Sequence, residues 1–205
     1  MTEIFSGYHK STHELIFRVY ASGIPDSGKR QTHRLAHFAA LDLLGAALEK
    51  DFGVRHAVIR RSGLEKPELI HDFLHMNLSH CRGLAVAAVG KIPLGVDAEA
   101  PRIINAALMQ KVCAPEELSQ IQAAADPERM FLRLWTLKEA YAKYTGEGIR
   151  LGFSGLPFSF APDGQILFHH PDAGKLTFMQ HTDISGCTVS LCLQGGADLI
   201  LKEHT

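Results

Sequence analysis

Trp135-Thr136-Leu137-Lys138-Glu139-Ala140-Tyr141-Ala142-Lys143 reads as one amphipathic helix. Ala, Leu, Lys and Glu favour helix there, and Gly146 and Gly148 supply the left-handed stop that glycine permits. Trp135, Glu139 and Lys143 fall at i, i+4 and i+8, so they share one face. An aromatic, an acid and a base in one stripe also decorate many packed helices, so the stripe alone carries no chemistry. Its meaning depends on whether other segments bring partners to Glu139.

The chain around it has 205 residues, enough for one sizeable domain or two small lobes with a shared core. Formal net charge is -1, so no global basic field points to nucleic acid or an anionic membrane. No apolar run reaches the roughly 20 residues of a spanning helix, and the N-terminus lacks a signal peptide's apolar core. Cys81, Cys113, Cys187 and Cys192 contain no Cys-x-x-Cys pair and read as reduced thiols of a cytoplasmic protein.

Upstream, His13–Tyr20 predicts a strand, 22–28 a turn, and 32–50 a long helix with apolar residues at helical spacing. Lys29, Arg30, His33 and Arg34 at that helix start form either a solvated charge run or a phosphate site, where backbone N–H groups and the dipole add to the cations. Val54–Arg60 predicts a strand. Met76–His80, a turn at Gly83 and Leu84–Val89 predict a hairpin whose second strand is buried. His71 and His75 at helical spacing, with His80, invite a metal reading, but no soft fourth ligand stands close by. His80, before a buried strand, suits hydrogen bonding to an anion better.

In the extended segment Ile92–Glu99, alternation puts Asp97 and Glu99 on one side. Two neighbouring carboxylates mark either a solvated strand end or a site where a cation or protons offset the repulsion. Helices are predicted at 103–112 and 115–125, with Glu116 and Glu117 in a first turn that suits acids. Beyond residue 156, turn signals between short apolar strands (157–160, 165–169, 175–181, 187–193) predict an antiparallel meander. The whole is α+β, and the pattern allows two similar-sized lobes, 1–95 and 96–205, each expected as a small antiparallel sheet packed on a long helix. Asp97, Glu99 and Glu139 offer oxygen-only ligands of the kind Mg²⁺ accepts, with Lys143 placed to neutralise a phosphate oxygen.

Gly95-Val96-Asp97-Ala98-Glu99, followed by Leu134–Lys143 and Gly146-x-Gly148, together resemble the Sfp-type 4′-phosphopantetheinyl transferases of the holo-acyl-carrier-protein synthase superfamily. Asn77-Leu78-Ser79-His80 looks like the family's third motif and Lys66-Pro67 like its adenine-side loop. The resemblance covers about 62–152 directly. It implies a pseudo-symmetric two-lobed monomer with the site at the lobe interface. It implies Mg²⁺ on Asp97, Glu99 and Glu139, Lys143, Ser79 and His80 at the phosphates of coenzyme A, and Lys66 and Pro67 near the adenine. Lys29, Arg30 and Arg34 are placed like a 3′-phosphate site, with Arg34 and His37 both open in register. Glu116 aligns with a family glutamate that can act as base, although Val112 and Cys113 depart from the pattern around it.

The implied activity is Mg²⁺-dependent transfer of phosphopantetheine from coenzyme A to a serine of an apo acyl or peptidyl carrier protein, in fatty-acid, polyketide or nonribosomal-peptide synthesis, releasing 3′,5′-ADP. Glu139 or Glu116 would take the serine proton. Two rivals remain: a non-catalytic homologue that binds coenzyme A or a carrier, and a metal-dependent nuclease. The latter usually carries its Glu and Lys on a strand, and a basic footprint is absent here.

Overall fold

Thr2–His9 (β1) and Leu15–Gly23 (β2) form an antiparallel hairpin at the start of the chain. The computed structural model describes residues 1–25, 29–60, 67–71, 73–195 and 198–204; for 29–33 and 149 it describes the backbone alone. The first strand is not apparent from periodicity, because Ser6 and Gly7 interrupt its apolar run. A helix, α1, then runs from Lys29 to Phe52, longer at both ends than the predicted span.

The predicted strand at 54–60 is cut to Ile59–Arg60 (β3), which pairs with Glu68–Leu69 (β4). Beyond that pair, the Ile70 N–H donates to the Val58 carbonyl at 2.8 Å. His71 lies in the following loop and His75 opens His75–Cys81 (β5), so the two do not share a helix face. β5 turns at Gly83 into Leu84–Gly90 (β6). These strands make an antiparallel sheet in the order β12-β1-β2-β6-β5, where β12 is Leu199–Glu203, a strand returning from the C-terminal end.

The second sheet starts with Leu94–Glu99 (β7). After it come Ala106–Val112 (α2), Pro115–Ala123 (α3) and Pro127–Thr145 (α4). Phe158–Phe160 (β8) and Ile166–Phe168 (β9) follow, then Leu176–Ile184 (β10) and Cys187–Gln194 (β11). The four late strands do not form one meander. β11 is flanked by β10 and β7, while β8 and β9 pair with each other as a separate ribbon.

The two sheets pack face to face. Phe5, Phe17, Val19, Val86 and Ala88 of the first meet Val96, Ala98, Val189 and Leu191 of the second in one core. On the outer face of the first sheet, α1 presses Ala40, Leu44, Ala47 and Leu48 onto Tyr20, Ala85, Ala87 and Val89. β6 is therefore apolar at every position instead of alternating: a helix covers one face and a sheet the other. On the outer face of the second sheet, α4 packs Phe131, Leu134, Leu137, Ala140 and Tyr141 against Cys192, Phe158 and Phe168. The class is α+β, as expected, with one long helix backing each sheet.

Candidate functional site

The site begins with the missing side chain of Gly95. A Cβ there would lie 2.2 Å from the Ala140 carbonyl oxygen and 2.3 Å from the Tyr144 nitrogen. Only glycine lets the α4 backbone come down onto β7 at that point. Because side chains alternate along a strand, Asp97 and Glu99 share the face that Gly95 turns to the helix. Strand and helix then run in opposite directions: Asp97 meets Lys143, and Glu99 meets Trp135 two turns earlier. Glu139 lies between them on the same helical stripe.

Each contact has a defined geometry. Lys143 Nζ donates to Asp97 Oδ1 at 2.8 Å and to Ser79 Oγ at 2.9 Å. Ser79 Oγ donates to Asp97 Oδ1 at 3.0 Å and accepts the Ala98 N–H at 3.1 Å, which fills the capacity of a hydroxyl. The Trp135 indole N–H donates to Glu99 Oε1 at 3.1 Å, and Arg102 stands 3.6 Å from Glu99 Oε2. Asp97 Oδ2 is buried and has no partner among the described residues. A buried carboxylate oxygen is stable only with a donor or a cation, so this atom fits a metal ligand.

The electrostatics agree with that reading. Burial, then the nearby Asp97 and Glu99, push the Glu139 carboxyl up to about 7 against the pull of Lys143. Burial and Asp97 also raise Glu99. The three acids feel one another, yet among the described residues no three acidic, His or Cys side chains converge as a ready metal cage. Mg²⁺ does not require one: it keeps waters and binds through one or two carboxylates plus substrate phosphate.

The other expected residues are placed unevenly. His80, half-buried on β5, has its ring 6.0 Å from that of His37 on α1, edge to face. Among the described side chains of α1, His37 is brought to His80. Pro67 is half-buried beside β4, while Lys66 and the side chains of Lys29 and Arg30 lie outside the described residues. Glu116 is exposed on the first turn of α3, and no hydrogen bond or ion pair joins its carboxylate to the Asp97 group among the described residues. Its neighbour Glu117 is fully buried. It accepts the Ala114 and Phe158 N–H groups and pairs with Lys138, whose ammonium also donates to the Val112 and Phe153 carbonyls. Those two charges are satisfied by each other and by backbone, which is a structural role.

Sequence reading missed three supports: Trp135 as a donor to Glu99, Arg102 beside it, and Asn77. Asn77 Oδ1 accepts the Val96 N–H at 2.9 Å, as Ser79 does for Ala98. The signal for the last was present, since Asn77 and Ser79 are two apart on a strand and must share a face.

Residues 93–194 match the family model described as the 4′-phosphopantetheinyl transferase superfamily. The chain is 36% identical over 100 residues to 4′-phosphopantetheinyl transferase psf-1 of Bacillus pumilus, covering 48% of this chain and 43% of that protein. It is 30% identical over 137 residues to 4′-phosphopantetheinyl transferase gsp of Aneurinibacillus migulanus, covering 66% and 57%. The crystal structure of holo-[acyl-carrier-protein] synthase from Neisseria meningitidis aligns with a TM-score of 0.44 at 20% identity, over 51% of this chain and 98% of that one. The chain thus spans about half the length of the curated relatives it matches.

Proposed function

We propose, from the premise that the chain belongs to the 4′-phosphopantetheinyl transferase superfamily through residues 93–194, that it moves phosphopantetheine from coenzyme A to a carrier-protein serine. The observation that carries the reading is the orphaned Asp97 Oδ2, set beside Glu139 and Lys143 where Gly95 lets α4 touch β7. Asp97, Glu99 and Glu139 would hold Mg²⁺, whose charge on the pyrophosphate offsets the negative charge that grows as the bond breaks. The serine oxygen attacks the β-phosphorus, the bond to the α-phosphate oxygen breaks, and 3′,5′-ADP leaves.

Lys143 contributes a fixed ammonium at the edge of the acidic group, and its third N–H has no partner among the described residues. Glu139 would accept the serine proton. Glu116 would act only if carrier docking brought the serine to it. His80, with His37 beside it, and Ser79 face the phosphates; Arg34, Lys29 and Arg30 serve the 3′-phosphate, and Lys66 and Pro67 the adenine. The site would lie between the two lobes, residues 1–95 joined by β12 and the remainder of 96–205, of a cytoplasmic monomer. Among the described residues no helix is long and apolar enough to cross a membrane.

The test incubates the protein with coenzyme A, Mg²⁺ and a panel of apo carriers from fatty-acid, polyketide and peptide synthesis, then weighs each carrier. A phosphopantetheine mass gain that disappears with chelator and with Glu139→Gln is expected. Coenzyme A binding without any transfer would favour a non-catalytic homologue instead.

A further inference from the structure

A cavity lies away from the acidic group, on the far edge of the second sheet. It measures about 750 Å³ and is lined along one side by residues 164–169 around β9 and along the other by Leu176–Gln180 of β10. Ala173, Arg133 of α4 and Glu203 of β12 complete the lining. Consecutive residues on both strands line it, so the cavity follows strand edges rather than one sheet face.

The hydrogen-bond phase shows what those edges offer. The Gly195 N–H donates to the Lys175 carbonyl, so Lys175 and Gly195 are a bonded pair, as are every second residue pair after them along β10 and β11. Thr177 and Met179 therefore point their N–H and C=O groups at β11. Leu176, Phe178 and Gln180 point theirs into the cleft. Thr182, next in that phase, does turn its carbonyl outward, to Arg129. The Leu176 N–H is used by the Ala173 carbonyl. The Leu176 carbonyl and both backbone groups of Phe178 and Gln180 have no hydrogen-bond partner among the described residues. On β9 the phase set by the Ala161–Gln165 and Pro157–His169 bonds leaves Ile166 and Phe168 facing outward, and no backbone bond joins β9 to β10 among the described residues.

An open row of alternating donors and acceptors is a template for one more strand. Strand spacing, sheet spacing and rise give each residue of a packed strand about 4.8 × 10 × 3.3 Å, or about 160 Å³. The cleft thus has room for about five residues, the length of the β10 segment that lines it.

We infer that the cleft between β9 and β10 binds an extended segment of about five residues from a partner protein by adding it as a strand to the β10 edge. The segment would be apolar at alternate positions, because Phe168 and Phe178 form the wall on one side, 5.2 Å apart by ring centroid. It would carry a basic residue toward Glu203, which makes no ion pair among the described residues. Arg133 does not ask for an acid: its guanidinium is held by Gln180 Oε1 at 2.8 Å and lies 3.7 Å above the Phe160 ring.

The test pans a displayed library of random heptapeptides against the full chain, then follows amide hydrogen exchange with the best peptide bound. Enriched peptides should alternate apolar residues around a Lys or Arg. They should slow exchange at Phe178 and Gln180 at least tenfold while leaving Thr177 and Met179, already bonded to β11, unchanged. Glu203→Lys should select acidic residues in place of basic ones. No enrichment, or protection confined to other amides, overturns the inference. So does an enriched peptide whose binding survives N-methylation at every alternate position in both phases.

Discussion

Glu139 holds its proton because burial and two neighbouring acids oppose its charge, so the folded chain without metal binds protons that the unfolded chain releases. A folded-state affinity raised from the ordinary 4.5 to about 7 stabilises the fold fully below pH 4.5, and the contribution is lost as pH rises through 7. Metal-free protein should therefore melt at a lower temperature at pH 8 than at pH 5. Mg²⁺ should raise the midpoint more at pH 8 than at pH 5, because it binds the ionised form. Glu139→Gln should flatten both trends; a variant with the slope of the parent would remove Glu139 as their source. Trp135 tests the support of Glu99. Trp135→Phe keeps an aromatic against Phe131 and Phe153 but deletes the N–H on Glu99 Oε1. Stability should fall by about 1 kcal/mol. The Mg²⁺ concentration for half-maximal activity should rise about tenfold, the loss common when a ligand's support is removed. Unchanged Mg²⁺ dependence would reduce Trp135 to a packing residue.

At the scale of elements, the contact of α4 with β7 depends on Gly95. Gly95→Ala puts a methyl where the Ala140 carbonyl and the Tyr144 nitrogen already stand, and backbone on both sides leaves little room to yield. The helix must shift away from the strand. The expected loss is about 1–3 kcal/mol of stability, as for other overpacked sites, measured by urea titration. Transfer activity should fall by a larger factor than stability alone explains, since the shift parts Glu139 and Lys143 from Asp97. Activity equal to the parent would show that the register tolerates the shift. Much of this pair was legible in sequence: the helical stripe Trp135, Glu139, Lys143 and the strand alternation Asp97, Glu99 are both local periodicities. What the sequence hid is non-local. Glu117 looks like ordinary first-turn decoration, yet it is buried against Lys138, 21 residues on, and no local pattern reports such a pairing. Trp135 looks like pure packing until the strand end it meets is known.

Over the whole molecule, the hidden features are again those joining distant segments. β1 and β12 pair across nearly the full chain, and neither carries an alternation that distinguishes it from a loop. The return of β12 ties Leu199–Glu203 to the first sheet, where it pairs with β1 rather than with the β11 strand that precedes it. A second tie runs between the sheets themselves. Asn77 and Ser79 on β5 take the Val96 and Ala98 N–H groups of β7, substituting side-chain acceptors for a ladder that the two sheets do not share. Together with the common core of Phe5, Phe17, Val96 and Leu191, these ties should make both sheets unfold as one unit. Trp135, the only tryptophan, reports on the second sheet and its helix, while far-ultraviolet circular dichroism reports on all elements. Urea unfolding followed by the two signals should give coincident midpoints. Asn77→Ala leaves the buried Val96 N–H without an acceptor and should lower stability by about 1–3 kcal/mol, moving both midpoints by the same amount. If the tryptophan transition separates from the circular dichroism transition in the parent, the sheets are independent units; if they separate only in the variant, Asn77 is the residue that couples them.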